Sequence, residues 1–503
     1  MPEYYLSLDA GTSGGKAVVL DDHGYVKGFS KKPWSQHYFI PADLEPYGSE
    51  FTAEQFWDIL LQTTKEAIFF SRISSRDIKA VTATSQRHGC VFLNNEGISV
   101  YAGPNRDARG LEVDTEEFMP NEEVYEITGH GLPFLFPLAR LLWFKENEEE
   151  IYDKIRHLLS IDGWVNFRLT GNYTIDDTAA AETLLFDIKT RNWSDKILTE
   201  FDISHEILPD KYEFGQVIGP ILPDIAEKLD LNSHTPVVMS AADTQASIIG
   251  SGGINTNTLG IVAGSTMPLQ LIVDRPIIDP TQNIWTGAFV NNLWVLESNA
   301  GSAGDVHKWF IDSVLTPLNV DNPYEKFEVL VLSQPPGSRG VSADLGPQIF
   351  SSQSMLSVPI GGGFSFTPIA YSFDAPVDIA SFSRSLIENL GYAARANSEQ
   401  IQELVGYSFD SVFLVGGVSR SKAFIQILAN IMNTEIKTYL PEGASVAGTL
   451  ASMIGTGKYN NLNQAVKVIS DYSIYYPQED QSDEYESLYP EWKELYQRSR
   501  EDE

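Results

Sequence analysis

The chain has a single cysteine, Cys90, among 503 residues, so an internal disulfide and a cysteine-based zinc cluster are both excluded. It also lacks any apolar run of the ~18 residues that a membrane-spanning helix needs, and we therefore expect no membrane span. The N-terminal segment has no basic-then-apolar leader. We therefore expect a cytoplasmic protein.

Basic residues are scarce, since 35 lysines and arginines stand against 68 acidic residues, for a formal net charge of −33. Nucleic acid and anionic membranes both require a basic surface, so we expect neither as a partner. An anion such as ATP must be held by local donors and a divalent cation, because the field of the whole chain repels it. The acidic segments PQEDQSDEYE and REDE near the C-terminus are expected to form a solvated helix surface.

Small residues are concentrated in the stretch LDAGTSGGKAVVLD, which joins two apolar strands near the N-terminus. The small residues of its loop are Gly11, Thr12, Ser13, Gly14 and Gly15. The glycines permit positive φ and close approach, while the two hydroxyl residues offer donors. We predict that the loop's N–H groups approach an anion, most simply a phosphate. A plain glycine-rich hairpin is the alternative, because the spacing matches neither the Walker loop nor the dinucleotide fingerprint.

A strand followed by small residues recurs at three further places. These are VVMSAADTQASIIGSGG, LGIVAGSTMPLQLIV and SVFLVGGVSRSKAF. Four segments with apolar residues at three- and four-residue spacing are predicted to be helices: AEQFWDILLQTTKEAIFF, PLARLLWFKENEEEIYDKIRHLL, FSRSLIENLGYAARANSEQIQEL and AFIQILANIM. The alternation predicts an α/β chain, and its length favours two large domains. Since the second half repeats the opening hairpin, we predict duplicated domains at 1–250 and 251–503 with a nucleotide cleft between them.

Taken in order, these segments resemble the FGGY family of carbohydrate kinases, part of the actin-like ATPase superfamily, over nearly the whole chain. DAGTSGGK is similar to the family's D-x-G-T-[ST]-x-x-[RK], and AADTQAS to its G-[GA]-D-x-[QN]. RLTGNYTIDDTAAAETLLFD contains L-T-G and is similar to the family's T-D-x-[ST] at IDDT, and GGVSRSKAFIQILANIM resembles the family's late glycine motif. The resemblance implies two ribonuclease H-like domains. It also implies ATP- and Mg²⁺-dependent phosphorylation of a small sugar or polyol.

The resemblance further implies roles for individual residues. Asp9 would place Mg²⁺, and Asp243 would take the proton of the acceptor hydroxyl. The residues implied to hold ATP are Gly11, Thr12, Ser13, Lys16, Gly264, Ser265, Thr266, Gly416, Gly417 and Ser421. Those implied to contact the acceptor are Gln86, Arg87, His88, Asn105, Asp107, Asp243 and Gln245.

Two of these assignments meet a competing interpretation. An aspartate that precedes a helix, as Asp243 does, is often only its N-cap. Val418 stands where the family has a third glycine, and its β-branched side chain restricts the backbone at the implied adenosine site.

The residues around the implied acceptor site leave the acceptor open. The stretch QRHG combines the Q-M-H-G of xylulose kinases with the Q-R-E of glycerol kinases. Asn105 replaces the tryptophan of glycerol kinases, and autoinducer-2 kinases also have asparagine there. A ketose such as D-xylulose is the first candidate, with autoinducer-2, an alditol and glycerol as alternatives. A non-catalytic nucleotide-binding regulator is the alternative from another class, against which Asp9 and Asp243 argue. The oligomeric state stays open, with a homodimer as one candidate.

Overall fold

The structure, a computed structural model, describes most of the sequence. The described residues are 2–42, 44–351, 362–366, 377–439, 442–469 and 471–501. The expected two-domain α/β architecture is confirmed, with one large sheet in each half of the chain. Among the described residues, no helix combines the length and apolar character needed to cross a membrane.

The first half is built on a mixed six-stranded sheet. The strands of this half are β1 Tyr4–Ala10, β2 Gly14–Asp21, β3 Val26–Pro33, β4 Ile78–Ser85, β5 Cys90–Leu93, β6 Ser99–Gly103, β7 His157–Ser160, β8 Thr174–Asp176, β9 Phe186–Asp187, β10 Asn192–Trp193, β11 Asp210–Tyr212, β12 Val217–Pro220 and β13 Pro236–Met239. Its helices are α1 Ala53–Ser71, α2 Asn121–Thr128, α3 Pro137–Asn147, α4 Glu149–Tyr152, α5 Ile161–Thr170, α6 Asp177–Ala181, α7 Asp195–Glu200, α8 Pro223–Leu229 and α9 Asp243–Gly250. In the order β12-β13-β4-β1-β2-β3, β1 pairs antiparallel with β2 and parallel with β4.

The second half repeats this pattern on a seven-stranded sheet. Its strands are β14 Thr258–Val262, β15 Thr266–Val273, β16 Trp285–Phe289, β17 Leu293–Ser302, β18 Ser342–Asp344, β19 Gly363–Ser365, β20 Ser411–Val415, β21 Ile436–Thr438 and β22 Ser473–Tyr475. Its helices are α10 Gly304–Phe310, α11 Pro323–Leu332, α12 Ile379–Val405, α13 Lys422–Met432, α14 Gly443–Gly455, α15 Leu462–Ala465 and α16 Glu479–Glu501. The order is β16-β17-β15-β14-β20-β21-β22, and β14 again pairs antiparallel with β15 and parallel with β20.

Helices α9 and α14 pack against each other between the two sheets. Helix α14 belongs to the second half but contacts β1 and β4, whereas α9 contacts β14 and β20 of the second half as well as β4. Glycines allow the close approach, because a Cβ on Gly250 would lie 1.8 Å from the carbonyl oxygen of Gly443. A Cβ on Gly448 would similarly lie 2.4 Å from Thr82 Oγ1. The crossed helices therefore join the two halves directly.

Three of the four predicted helices are confirmed as α1, α12 and α13. The fourth, 137–159, is partly wrong, because the helical stretch ends at Tyr152 and His157–Ser160 forms strand β7. Pairing with β5 outweighs the local helical spacing there, since the ladder buries Leu158 and Leu159 completely.

The positive φ that glycine permits is not used at Gly11, Gly14 and Gly15, because none of them has a left-handed backbone. Gly14 and Gly15 lie in strand β2 instead. A Cβ on Gly14 would lie 2.3 Å from the carbonyl oxygen of Lys32, and one on Gly15 would lie 3.0 Å from the Trp34 ring. These two glycines are thus required by packing between strands.

The Gly250 contact predicts a large steric effect on stability. We expect Gly250→Ala to lower the free energy of unfolding by about 1–3 kcal/mol or more, the usual cost of overpacking. Gly363→Ala is the control, because a Cβ there meets nothing within 4 Å. Chemical denaturation of both variants tests this, and equal midpoints would contradict the proposed packing.

Candidate active site

Asp9, near the C-terminal end of β1, faces Lys16 across the β1–β2 ladder. Lys16 Nζ lies 2.7 Å from Asp9 Oδ2 and 3.0 Å from Glu442 Oε2. Burial alone would lower the pKa of Lys16, but Asp9 and Glu442 outweigh it and raise that pKa. Asp9 Oδ1 is buried and has no hydrogen-bond partner among the described residues. Asp9 therefore keeps one oxygen available for a cation.

The loop between β1 and β2 is held in place by neighbouring side chains. Trp34 Nε1 donates to the Gly11 carbonyl at 3.0 Å, and the Tyr38 hydroxyl donates to the Thr12 carbonyl at 2.7 Å. Asn105 Nδ2 donates to Thr12 Oγ1 at 3.0 Å, while Ser13 is exposed. These contacts fix the shape of the loop without any ligand.

The second hairpin turn, residues 264–266, lies against the start of α10. The N–H of Ala303 donates to the Ser265 carbonyl, and that of Gly304 donates to the Gly264 carbonyl, both at 2.8 Å. Ser265 and Thr266 keep exposed side chains. The two hairpin turns thus sit at equivalent places in the duplicated sheets.

The Gly416–Gly417 turn follows β20 and meets the same hairpin. Gly416 has φ of 101°, and a Cβ there would lie 2.4 Å from the Ala263 carbonyl oxygen, so only glycine fits. Gly417 has nothing within 4 Å of a Cβ position. Val418 buries its side chain in the core of the second half, which explains why a β-branched residue is tolerated in place of a third glycine.

Ser421 lies beyond this turn and caps helix α13. Its hydroxyl accepts from the N–H of Phe424 at 3.0 Å, and the residue is buried. The contact with a nucleotide implied for Ser421 stays a prediction, because its hydroxyl already serves as a helix cap.

Glu442 links the first hairpin to the segment after the Gly416–Gly417 turn. Besides Lys16 it accepts from Arg420 Nη2 at 3.0 Å, at the end of the Gly416–Gly417 turn. Burial would raise the pKa of Glu442, but Lys16 and Arg420 outweigh it and lower that pKa. Glu442 therefore connects Lys16 of the first half with Arg420 of the second half.

Asp243 is the first residue of α9, and its side chain does not cap the helix. The N-cap is Ala242, and no side-chain hydrogen bond caps α9, so the N-cap interpretation of Asp243 is wrong. The Thr244 hydroxyl donates to Asp243 Oδ1 at 3.3 Å. Burial raises the pKa of Asp243 to about 7; Arg87 opposes this shift and Asp9 adds to it. A carboxylate with such a pKa exchanges protons near neutral pH.

Arg87 is occupied by two buried carboxylates. Its guanidinium donates to both oxygens of Glu297, at 2.7 and 2.8 Å, and to Glu182 Oε1 at 3.0 Å. Gln270 Nε2 also donates to Glu297, at 2.6 Å. Burial would lower the pKa of Arg87, but Glu182 and Glu297 outweigh it and hold that pKa above its ordinary value. Arg87 therefore organises the carboxylates around it.

His88 is also bound by Glu182. Its Nε2 lies 2.6 Å from Glu182 Oε2, and its carbonyl accepts from Arg140 Nη1 at 2.8 Å. His88 has φ of 61°, a conformation that costs free energy in a residue other than glycine. Backbone strain of this kind is concentrated at functional sites. Beside it, Gln86 Oε1 accepts from the N–H of Asn105 at 3.0 Å.

Asp107 lies in the core and has no exposed surface. Tyr101 donates to its Oδ2, and Arg109 Nε donates to the same oxygen at 2.9 Å. The implied contact between Asp107 and an acceptor would require these bonds to open. Its surroundings favour a part in positioning Asn105 and its neighbours, and the direct contact stays a prediction.

Several buried polar atoms near this network have no hydrogen-bond partner among the described residues. They are both amide atoms of Gln245, Oε1 of Gln270 and Nε1 of Trp285. The Trp285 ring centroid lies 6.3 Å from that of His88. Unpaired buried polar atoms are costly unless a ligand or water pairs with them. They therefore suit a ligand that carries several hydroxyl groups.

The sequence analysis missed Glu182, Glu297, Gln270 and Trp285. A usable signal existed for the two glutamates, because each is a single acid within an apolar or small-residue stretch, AAAETLLF and WVLESNAG. A buried acid requires a partner. The identity of that partner could not be read from the sequence.

Comparison with known proteins assigns the chain to a family. Profiles of the FGGY family of carbohydrate kinases match residues 4–250 with the N-terminal domain and residues 259–452 with the C-terminal domain. The chain belongs to the FGGY family of carbohydrate kinases. It is therefore a phosphotransferase with an alcohol group as acceptor.

The individual proteins that resemble this chain have low sequence identity to it. An autoinducer-2 kinase of Salmonella paratyphi B is 28% identical, over 99% of this chain and 94% of the relative. A ligand-bound xylulose kinase of Lactobacillus acidophilus has the same fold, with a TM-score of 0.83, 22% identity and coverage of 98% and 97% of the two chains. A glycerol kinase of Plasmodium falciparum with ADP gives a TM-score of 0.81 at 19% identity, covering 99% and 98%.

The paired charges around Arg87 predict an asymmetric effect on stability. We expect Arg87→Met to lower the free energy of unfolding by about 3–5 kcal/mol, because it leaves buried carboxylates unpaired. Adding Glu297→Gln should restore part of the loss, since one of those charges is then removed. Chemical denaturation measures both variants, and an equal or larger loss in the double variant would contradict the ion-pair account.

Proposed function

We propose that this kinase transfers the γ-phosphoryl group of ATP to a primary hydroxyl of a small, uncharged, polyhydroxylated acceptor. The observation that carries the proposal is Asp243, the first residue of α9, whose carboxylate forms no helix cap and accepts only from the Thr244 hydroxyl in the described bonds. Burial and Asp9 raise its pKa to about 7, against the opposing effect of Arg87. The sequence alone favours D-xylulose as acceptor. The autoinducer-2 kinases that align over nearly the whole chain make autoinducer-2 the first acceptor to test, with D-xylulose second.

In this reaction Asp243 accepts the proton of the acceptor hydroxyl. The acceptor oxygen forms a bond to the γ-phosphorus, the bond from that phosphorus to the bridging oxygen breaks, and ADP leaves. The proton stays on Asp243 until solvent removes it. Lys16 and the N–H groups of the two hairpins hold the phosphates of the nucleotide.

Asp9 fits a magnesium ion, because its buried Oδ1 is unpaired and oxygen is the ligand that Mg²⁺ prefers. When bound, Mg²⁺ neutralises negative charge on the phosphates. Lys16 forms an ion pair with the other carboxylate oxygen, Asp9 Oδ2, and this ion pair fixes the direction of Oδ1.

The charges of the site favour an uncharged acceptor. Asp9 and Glu442 act on Lys16, while Glu182, Glu297 and Asp243 act on Arg87. Asp9 in turn raises the pKa of Asp243. The Arg87 guanidinium already donates three hydrogen bonds to Glu182 and Glu297. A carboxylated sugar would therefore compete with two protein carboxylates for Arg87 and meet their repulsion.

Asp243 gives a mutational and a pH prediction. Asp243→Asn should lower kcat by about 10²-fold or more, because the base is lost.

In the unmodified protein the reactive form of Asp243 is the ionised one, so kcat/KM should fall about tenfold per pH unit below pH ~7 and level off above it. Coupled ADP-release assays from pH 5 to 9 measure both.

Asp224→Asn is the matched control, because Asp224 is an exposed acid in the first turn of α8, outside the cleft. It should leave the rate and the pH profile unchanged. Near-normal turnover in Asp243→Asn, or an unchanged acid limb, would exclude Asp243 as the base.

The acceptor itself is tested by comparing autoinducer-2, D-xylulose, glycerol and D-gluconate in the same assay. We expect one of the first two to exceed both glycerol and gluconate by at least about tenfold in kcat/KM, or ~1.4 kcal/mol. Glycerol leaves polar atoms unpaired, and gluconate adds a negative charge. Equal efficiency with gluconate would overturn the charge argument, and ATP binding without ADP release for any acceptor would favour a non-catalytic nucleotide-binding regulator.

A further inference from the structure

The loop that precedes Asp243 is held from both sides by threonine hydroxyls. The N–H of Ala242 donates to Thr178 Oγ1 at 2.8 Å. The Thr84 hydroxyl donates to the carbonyl of Ala241 at 2.7 Å. Both contacts are buried, so neither is readily replaced by water. The two residues before Asp243 are thus fixed by β4 on one side and by α6 on the other.

Asp176 sets the direction of the Thr178 hydroxyl. The N–H of Ala242 can only donate, so Thr178 Oγ1 must accept from it and send its own proton elsewhere. That proton goes to Asp176 Oδ2 at 2.6 Å, and the N–H of Thr178 donates to the same oxygen at 2.8 Å. Asp176 is the N-cap of α6, with Oδ1 accepting from Ala179. These hydrogen bonds therefore connect the loop before Asp243 to Asp176 through Thr178, with each group donating toward Asp176.

The same short helix also reaches the acceptor side of the site. Helix α6 begins beside Asp176 and ends at Glu182, its C-cap residue. Glu182 binds Arg87 and His88. One element therefore contacts the Asp243 loop at one end and the His88 segment at the other.

We propose that Thr178, oriented by Asp176, is a positioning residue that fixes the aim of the Asp243 carboxylate at the acceptor hydroxyl. The proposal rests on the proposed function, because it takes Asp243 as the base. Thr178 does not contact the reacting atoms, and it acts through the backbone of Ala242. The D-x-T spacing of Asp176 and Thr178 thereby gains a physical reason: the acid orients the hydroxyl two residues later.

The test compares Thr178→Val with Thr178→Ser, each with autoinducer-2 and with D-xylulose as acceptor. Valine keeps the shape but cannot accept from Ala242, and we expect it to lower kcat about tenfold or more, since misplacement of a reacting group by ~1 Å is that costly. Serine keeps the hydroxyl and should stay within about threefold of the unmodified protein. KM for ATP should change by less than about twofold in both, because the hairpins are untouched.

Thr64→Val is the matched control, because Thr64 is a fully buried threonine in α1 whose hydroxyl donates to Leu60 within the helix. It loses a buried hydroxyl without touching the loop and should keep kcat. If Thr178→Val does not fold, Thr84→Val tests the other side of the loop and should also lower kcat with KM for ATP unchanged.

The outcomes separate this proposal from the proposed function. A loss of kcat in Thr178→Val with rescue by serine supports the positioning role. Equal kcat in the valine and unmodified proteins, or an equal loss in valine and serine, overturns it while Asp243→Asn still reports on the base. Near-normal turnover in Asp243→Asn overturns both.

Discussion

The packing of α9 on α14 is the constraint on which the arrangement of the site depends. Asp243 begins α9, and Asp9 lies in β1, which α14 contacts. Because Gly250 and Gly443 let the helices approach within backbone contact, the two acids are held at a distance set by rigid elements. A longer side chain at either glycine would separate the helices and with them the two halves of the site.

Electrostatics then decides what this site accepts. The chain is strongly acidic overall, with a formal charge of −33, and its cleft is acidic too. Two cations of the site are matched by carboxylates: Lys16 by Asp9 and Glu442, and Arg87 by Glu182 and Glu297. Buried pairs of this kind specify geometry more than they add stability. The site must therefore favour phosphoryl transfer by orienting the reacting groups, because it has no net positive charge to offer.

The polar residues of the site fall into two sets, according to whether their hydrogen bonds are already made within the protein. Asp107 and Ser421 are paired within the protein and serve the scaffold. Gln245 and Asp9 Oδ1 are buried and unpaired among the described residues, so they are the groups for which a ligand would matter most. Thr178 belongs to neither set. Its hydrogen bonds are complete, but its hydroxyl accepts one of them from the N–H of Ala242, in the loop before Asp243.

The sequence by itself determined the α/β class, the two strand–turn–strand hairpins and three of four helices, and it predicts Asp9 and Asp243 as the central acids. Those features follow from local spacing and from motifs whose residues are close in the chain. Only the tertiary structure decided which residues surround them. Glu182 reaches His88 across 94 residues and Glu297 reaches Arg87 across 210, and no local pattern encodes such a pairing. Tertiary pairing likewise made a strand of 157–160, because the ladder with β5 outweighs local helical spacing.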